Sequence, residues 1–171
     1  MTAPIETRRV QPQPIAVVRR RARLDELKIV VPEACGTSWN LVKQLGLKGG
    51  RNVAVYLDSD VSGAINLEVG QEVAAPFPST ADLICSATPG GPIVTATHWG
   101  AYHRLGETHR ALVQWAADNQ RTLAGPNWEI YGHWKNEWNS DPSKICTDIY
   151  YLLVDGNGSA AEPGTTADGG P

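Results

Sequence analysis

"NVAVY", residues 52–56, and "NWEIY", residues 127–131, read as one strand written twice. Asn52 matches Asn127, Val55 matches Ile130 and Tyr56 matches Tyr131, and the same alignment sets Ala54 against Glu129. Each copy follows a segment with helical spacing. Before the first lies "PEACGTSWNLVKQLG", 32–46, with Ala34, Cys35, Ser38, Trp39, Leu41, Val42 and Leu45 in helical register. Pro32 is expected at an early helical position and Gly46 as the stop, and Gly36 weakens the helix by about 1 kcal/mol relative to Ala. Before the second copy lies "YHRLGETHRALVQWAADNQ", 102–120, whose apolar stripe is Leu105, Leu112, Trp115 and Ala116.

Strands flank both units. "QPIAVVRR" (13–20) precedes the first helix, and "GAINLEVGQEV" (63–73) follows "NVAVYLD" across a Ser-Asp-Val-Ser-Gly turn. "DLICSAT" (82–88) and "PIVTATHW" (92–99) precede the second helix, and "NWEIYGHW" (127–134) and "TDIYYLLV" (147–154) follow it. The order is βαββ, then βαββ. One such unit cannot bury both its helix and its sheet face. The expected fold is therefore α+β: two units side by side form one antiparallel sheet, with both helices on one face and a groove between them.

The 171 residues suffice for one domain with a core. A net charge of −3 argues against a nucleic-acid binder, and "RRRAR", 19–23, reads as a solvated strand end. There is no apolar run long enough to span a membrane and no secretory signal. Three scattered cysteines, Cys35, Cys85 and Cys146, fit neither a disulfide framework nor a zinc site, so the expected location is cytoplasmic. Residues 1–9 are expected to be flexible, 10–154 to be the folded domain, and the Gly/Ala/Pro-rich stretch 155–171 to be disordered.

Four motifs in order resemble the GyrI-like family, which includes the effector-binding domains of AraC- and MerR-type regulators. "HWGAYHRLGETHRALVQWAADN" (98–119) resembles its His–x–Gly–x–Tyr–x–x–Leu segment and helix, and "GPNWEIYGHW" (125–134) its Gly–Pro–x–x–Glu–x–Tyr strand. "CTDIYYLL" (146–153) resembles its closing strand, with Asp148 where Glu is common and Leu152 where Pro is common. "INLEVGQEV" (65–73) resembles the strand ending Glu–x–Gly–x–x–Val. The resemblance covers about 12–154. It implies a duplicated βαββ domain that binds organic, often cationic and aromatic, ligands between its helices, with Glu129 as the pocket acid. A subset of the family without a DNA-binding domain hydrolyses strained cyclopropane-bearing electrophiles. The few residues before the first strand leave no room for a helix-turn-helix unit, so a stand-alone ligand domain is expected.

Strand alternation puts Glu129, Tyr131 and His133 on one face and Trp128, Ile130 and Trp134 on the other. A carboxylate among aromatic rings suits an organic cation. The expected ligand-binding residues are Glu129, Tyr131, Tyr102, Trp99 and Asp148. Trp128 and Trp134 are expected to pack within the protein. His98, His103, His109 and His133 read as surface or core residues; no metal or cofactor is implied. Three functions compete. The first is binding of a small organic ligand for sequestration or sensing. The second is hydrolysis using Glu129 and Tyr102, and the third a protein-interaction role such as gyrase inhibition.

Overall fold

The computed structural model describes residues 3–156, so most of the 155–171 tail lies outside the described residues. The strands are β1 (Glu6–Val10), β2 (Pro14–Ala22), β3 (Asn52–Ser59), β4 (Ile65–Glu72), β5 (Ile84–Ala87), β6 (Gly91–Trp99), β7 (Leu123–Tyr131) and β8 (Cys146–Leu153). Helix α1 is Leu27–Gln44 and α2 is Leu105–Asp118, each entered through a short 3-10 turn. The strands form one antiparallel sheet in the order β1-β6-β8-β7-β3-β4-β2-β5. The units β2-α1-β3-β4 and β6-α2-β7-β8 repeat the same arrangement and meet where β7 pairs with β3.

Two strands lie outside the repeat. Residues 6–9, expected within a flexible start, form β1 together with Val10 and pair with β6 from Glu6–Thr95 to Val10–Gly91. "ETRRV" has no buried face to announce it: four of its five residues are exposed, and it is an edge strand held by its backbone. β1 precedes the first unit yet pairs with the second. β5 precedes the second unit yet pairs with β2 of the first. The units thus exchange their leading strands.

That exchange bends the sheet. β1 and β2 stand six strand spacings apart in the sheet order, about 29 Å if the sheet were flat. Residues 11–13 join them, and three residues span at most about 14 Å. Residues 88–90 join β5 to β6 under the same constraint. The sheet therefore curls until its two ends meet. There the Thr88 amide donates to the Gln13 carbonyl at 2.9 Å, and Pro12 packs so close to Gly90 that a Cβ there would lie 2.6 Å from the ring. Inside the curl one apolar cluster runs from Ile15 and Val17 on β2, through Val53, Val55, Trp128, Ile130 and Tyr150, to Ile93 on β6. Trp128 stacks on Tyr150 at 5.1 Å and 7°. Trp128 is thus core, as expected.

The helices cover the outer face. α1 buries Val31, Ala34, Ser38 and Val42 against β2, β3 and β4, and Gly46, at φ 68°, turns the chain out of the helix. α2 buries Thr108, Leu112 and Ala116. α1 begins earlier than expected, at Leu27, so Pro32 lies inside the helix rather than at its start. A proline there cannot donate to the Lys28 carbonyl one turn back. The 3-10 turn before the helix is capped by Glu26, whose carboxylate accepts from the Arg23 amide at 2.7 Å.

The "RRRAR" cluster is neutralised within the fold. Arg19 pairs with Glu68 at 3.2 Å, Arg20 with Glu33 at 3.2 Å, Arg21 with Asp60 and Arg23 with Asp25 at 4.0 Å.

Gly70 on β4 lies between Val17 of β2 and Val53 of β3. The Ala16 carbonyl oxygen occupies the space a Cβ on Gly70 would need. Gly70→Ala is predicted to destabilise the protein by about 3 kcal/mol, because the obstacle is backbone that cannot rotate away. Urea unfolding measures it; a loss within about 0.5 kcal/mol contradicts the close approach.

Candidate functional site

The seam between the units forms the floor of the site. β3 and β7 run antiparallel with Val53 opposite Ile130, Ala54 opposite Glu129, Val55 opposite Trp128 and Tyr56 opposite Asn127. Ala54 and Glu129 are repeat equivalents and also register partners, so the pseudo-two-fold axis passes between them. Alternation turns Ala54, Tyr56, Glu129 and Tyr131 to the outer face, under the helices. Ala54, Tyr56 and Tyr131 pack with the α1 core.

Glu129 is 5% exposed. An ionised carboxylate so far from water needs donors around it, and three side chains supply them. The Tyr56 hydroxyl donates to Oε2 at 3.0 Å, and the Tyr131 hydroxyl donates to the same oxygen. His109 Nε2 lies 2.6 Å from Oε1, while its Nδ1 lies 2.8 Å from the Tyr151 hydroxyl. With Nε2–H donating to the carboxylate, Nδ1 of a neutral ring accepts from Tyr151. The His109 and Tyr151 rings meet edge to face at 5.6 Å. Burial, reinforced by the charge of Glu129, holds the hydroxyls of Tyr56 and Tyr131 well above the usual tyrosine range, and the same two causes push Tyr151 up to about 12.

Above this floor lies a groove of about 1590 Å³ between the helices. α1 contributes Leu27, Val31 and Trp39 to one wall; the α2 side contributes Tyr102 and His109; Trp134 joins from the loop after β7. Gly36 also lines the groove, and a Cβ there would meet nothing within 4 Å. A cavity of this size exceeds the common range of about 300–1,000 Å³ for small-molecule sites.

Of the five expected binding residues, Glu129, Tyr131 and Tyr102 lie together in the groove. Tyr102 meets Tyr131 edge to face at 5.7 Å. The other two do not join them. Asp148 pairs with Ile130 and with Thr97, so it points to the inner side of the sheet, away from Glu129. Its carboxylate accepts from the Thr97 hydroxyl at 2.6 Å and faces Arg51 at 3.4 Å. The register opposes Glu129 to Ile149, and one residue along a strand reverses the face. Trp99 shares the strand parity of Ile93 and Thr97 and so also stands off the groove. His133, expected to continue the Glu129 face, comes after β7 has ended at Tyr131, yet it lines the groove. Trp134, expected to pack inside, is 54% exposed at the groove and meets Trp138 edge to face.

Tyr56, His109 and Tyr151 were not expected in the site. A signal existed for the first two. Tyr56 is the repeat match of Tyr131, and His109 is the polar member of a helical stripe that otherwise runs Leu105, Leu112, Trp115 and Ala116. Tyr151 becomes identifiable only once β8 is in register with β7, where it opposes Asn127.

The sequence profile of a family described as GyrI-like small molecule binding domain matches residues 3–153. No curated protein matches the chain. Among solved structures, the EcmrR C-terminal domain superposes with a TM-score of 0.70 at 19% identity, covering 88% of this chain and 97% of that one. SAV2435 bound to tetraphenylphosphonium gives 0.66 at 9% identity, with coverages of 90% and 95%. A hydrolase from Listeria innocua gives 0.55 at 10% identity, with coverages of 88% and 91%. At these identities the likeness is one of fold. No helix among the described residues is long and apolar enough to cross a membrane.

The tyrosines around Glu129 make stability depend on alkaline pH. A tyrosine raised in the folded state contributes stability that is complete below its unfolded value of about 10 and is lost as pH rises through the folded value. For Tyr151 the window runs from about pH 10 to about 12. The urea midpoint is predicted to fall between pH 9 and pH 11, and to fall less in Tyr151→Phe; equal falls in both proteins contradict the assignment.

Proposed function

Because this chain belongs to the GyrI-like small molecule binding domain family, we propose that its groove binds an aromatic organic cation, in sequestration or sensing, with Glu129 as the countercharge. One observation carries this reading: the groove floor holds a single buried carboxylate ringed by tyrosines. It lines a cavity walled by apolar and aromatic side chains. A cation there gains Coulomb attraction in a poorly screened setting and about 0.5–2 kcal/mol from each aromatic face it meets. The repeat supports a functional origin for the acid, since Ala54 fills the equivalent position and the fold does not require a carboxylate there. The fold neighbour SAV2435 holds tetraphenylphosphonium, a cation of this kind.

The hydrolytic reading would use the same Glu129 to activate water, with Tyr102 facing the substrate. Both carboxylate oxygens are already engaged by Tyr56, Tyr131 and His109, so a water would have to displace one of them. That favours binding over turnover. The protein-interaction reading, gyrase inhibition included, has only the charge of −3 behind it.

Titration with a rhodamine-type dye, followed by quenching of tryptophan fluorescence, tests the binding reading. Wild type and Asp148→Asn are expected to bind alike, and Glu129→Gln at least about tenfold more weakly, a loss of about 1.4 kcal/mol or more. Equal binding by wild type and Glu129→Gln removes the countercharge role. Turnover of a cyclopropane-bearing electrophile by wild type, absent in Glu129→Gln, would instead establish the hydrolase.

A further inference from the structure

The resting state of the floor has a consequence for which ligands it accepts. Glu129 shares its carboxylate with His109. His109 lies 2.6 Å from Oε1, and the histidine and glutamate side chains are 21% and 6% exposed. An imidazolium at that distance cancels the carboxylate's charge within the site, whereas a neutral imidazole keeps the hydrogen bond and leaves the charge standing. The two protonation states therefore present different floors to a ligand: one neutral, one anionic.

We propose that His109 sets the charge class the groove accepts, as an internal counter-cation that gives up its proton when a cationic ligand arrives. This rests on the cation-binding reading above. The proton balance follows from the contacts. In the imidazolium, Nε2–H donates to Glu129 and Nδ1–H donates to the Tyr151 oxygen. When a cation settles beside Glu129, repulsion between like charges favours loss of the Nδ1 proton to solvent. Tyr151, which lines the groove, turns its hydroxyl to donate to Nδ1, and Nε2–H stays on Glu129. One proton leaves as one cation enters, and the site charge is conserved. Neutral aromatic molecules face no such exchange and are favoured where His109 is protonated.

Other charges near His109 do not carry this exchange. Tyr56 and Tyr131 touch Glu129 and stay neutral, since burial raises both. Tyr151, from β8, is likewise held neutral. From β6, His98 lies beneath α2 with Nδ1 2.8 Å from the Thr108 hydroxyl, and burial disfavours its charged form. On α2, Glu107 is engaged by Arg104. Arg110, Lys28 and Asp58 also line the groove, and the Asp58 carboxylate accepts from the Asn66 side-chain amide at 2.6 Å. His103 and His133 are the remaining groove imidazoles, and the His109 variant separates them.

The test is the affinity for tetraphenylphosphonium, a cation with no proton to lose, measured by tryptophan fluorescence between pH 5.5 and 8. Imidazoles change charge across this range. Wild-type affinity is expected to weaken toward low pH by up to about tenfold per unit, the limit for one linked proton. Titration calorimetry at pH 6 in buffers of different ionisation enthalpy should show proton release. His109→Gln, which keeps a donor for Glu129 but no titrating charge, should bind with a flat pH profile and no buffer-dependent heat. Saturable wild-type binding with no pH slope and no proton release overturns the exchange and leaves cation binding intact. A full slope retained in His109→Gln also overturns it. Absence of saturable binding at every pH overturns cation binding itself, and the exchange with it. If that variant does not fold, a His103→Gln/His133→Gln double variant decides: proton release retained there supports His109, and release lost there overturns it.

Discussion

The antiparallel pairing of β3 with β7 is the constraint on which both fold and site depend. It joins two units that could not bury their own helices and sheet faces separately. Its register places repeat-equivalent positions opposite one another, with Ala54 and Glu129 at the axis. Tyr56 and Tyr131 then lie on either side of that axis, and both reach one carboxylate oxygen. The repeated arrangement explains why two tyrosines are symmetrically available; the difference between Ala54 and Glu129 at the axis supplies the acid they surround.

That difference is energetically expensive. A buried carboxylate left without partners costs several kcal/mol. Hydrogen bonds to a charged group contribute about 1.5–3 kcal/mol each, so Tyr56, Tyr131 and His109 together can offset the burial of Glu129. The result is a carboxylate fixed in position by its three partners before any ligand arrives. The curl of the sheet contributes rigidity below. The inner cluster around Trp128 and Tyr150 packs directly behind the strands that carry the site.

Much of this was legible because duplication leaves a pattern in the chain. The match of "NVAVY" to "NWEIY" identified the repeated strand, and the missing acid in the first copy singled out Glu129. The exchanged strand β1 was hidden because an exposed edge strand shows no apolar alternation. The true start of α1 is hidden because Pro32 resembles a first-turn residue, although the chain carries it a turn and a half inside. Asp148 and Trp99 were assigned to the groove by motif and neighbourhood, but a strand's register decides which face a residue takes, and one step sends both to the other side. The role of His109 is hidden because its partner lies 20 positions away, on a strand whose approach to α2 only the tertiary fold determines.

A crystal structure with a bound aromatic cation would show whether the axis carboxylate is the charge that holds the ligand. The ligand is expected in the groove between α1 and α2, its charged centre over Glu129 and within reach of the Tyr56 and Tyr131 rings. A ligand bound on the Asp148 face of the sheet, or in the groove with its charge directed away from Glu129, would contradict it.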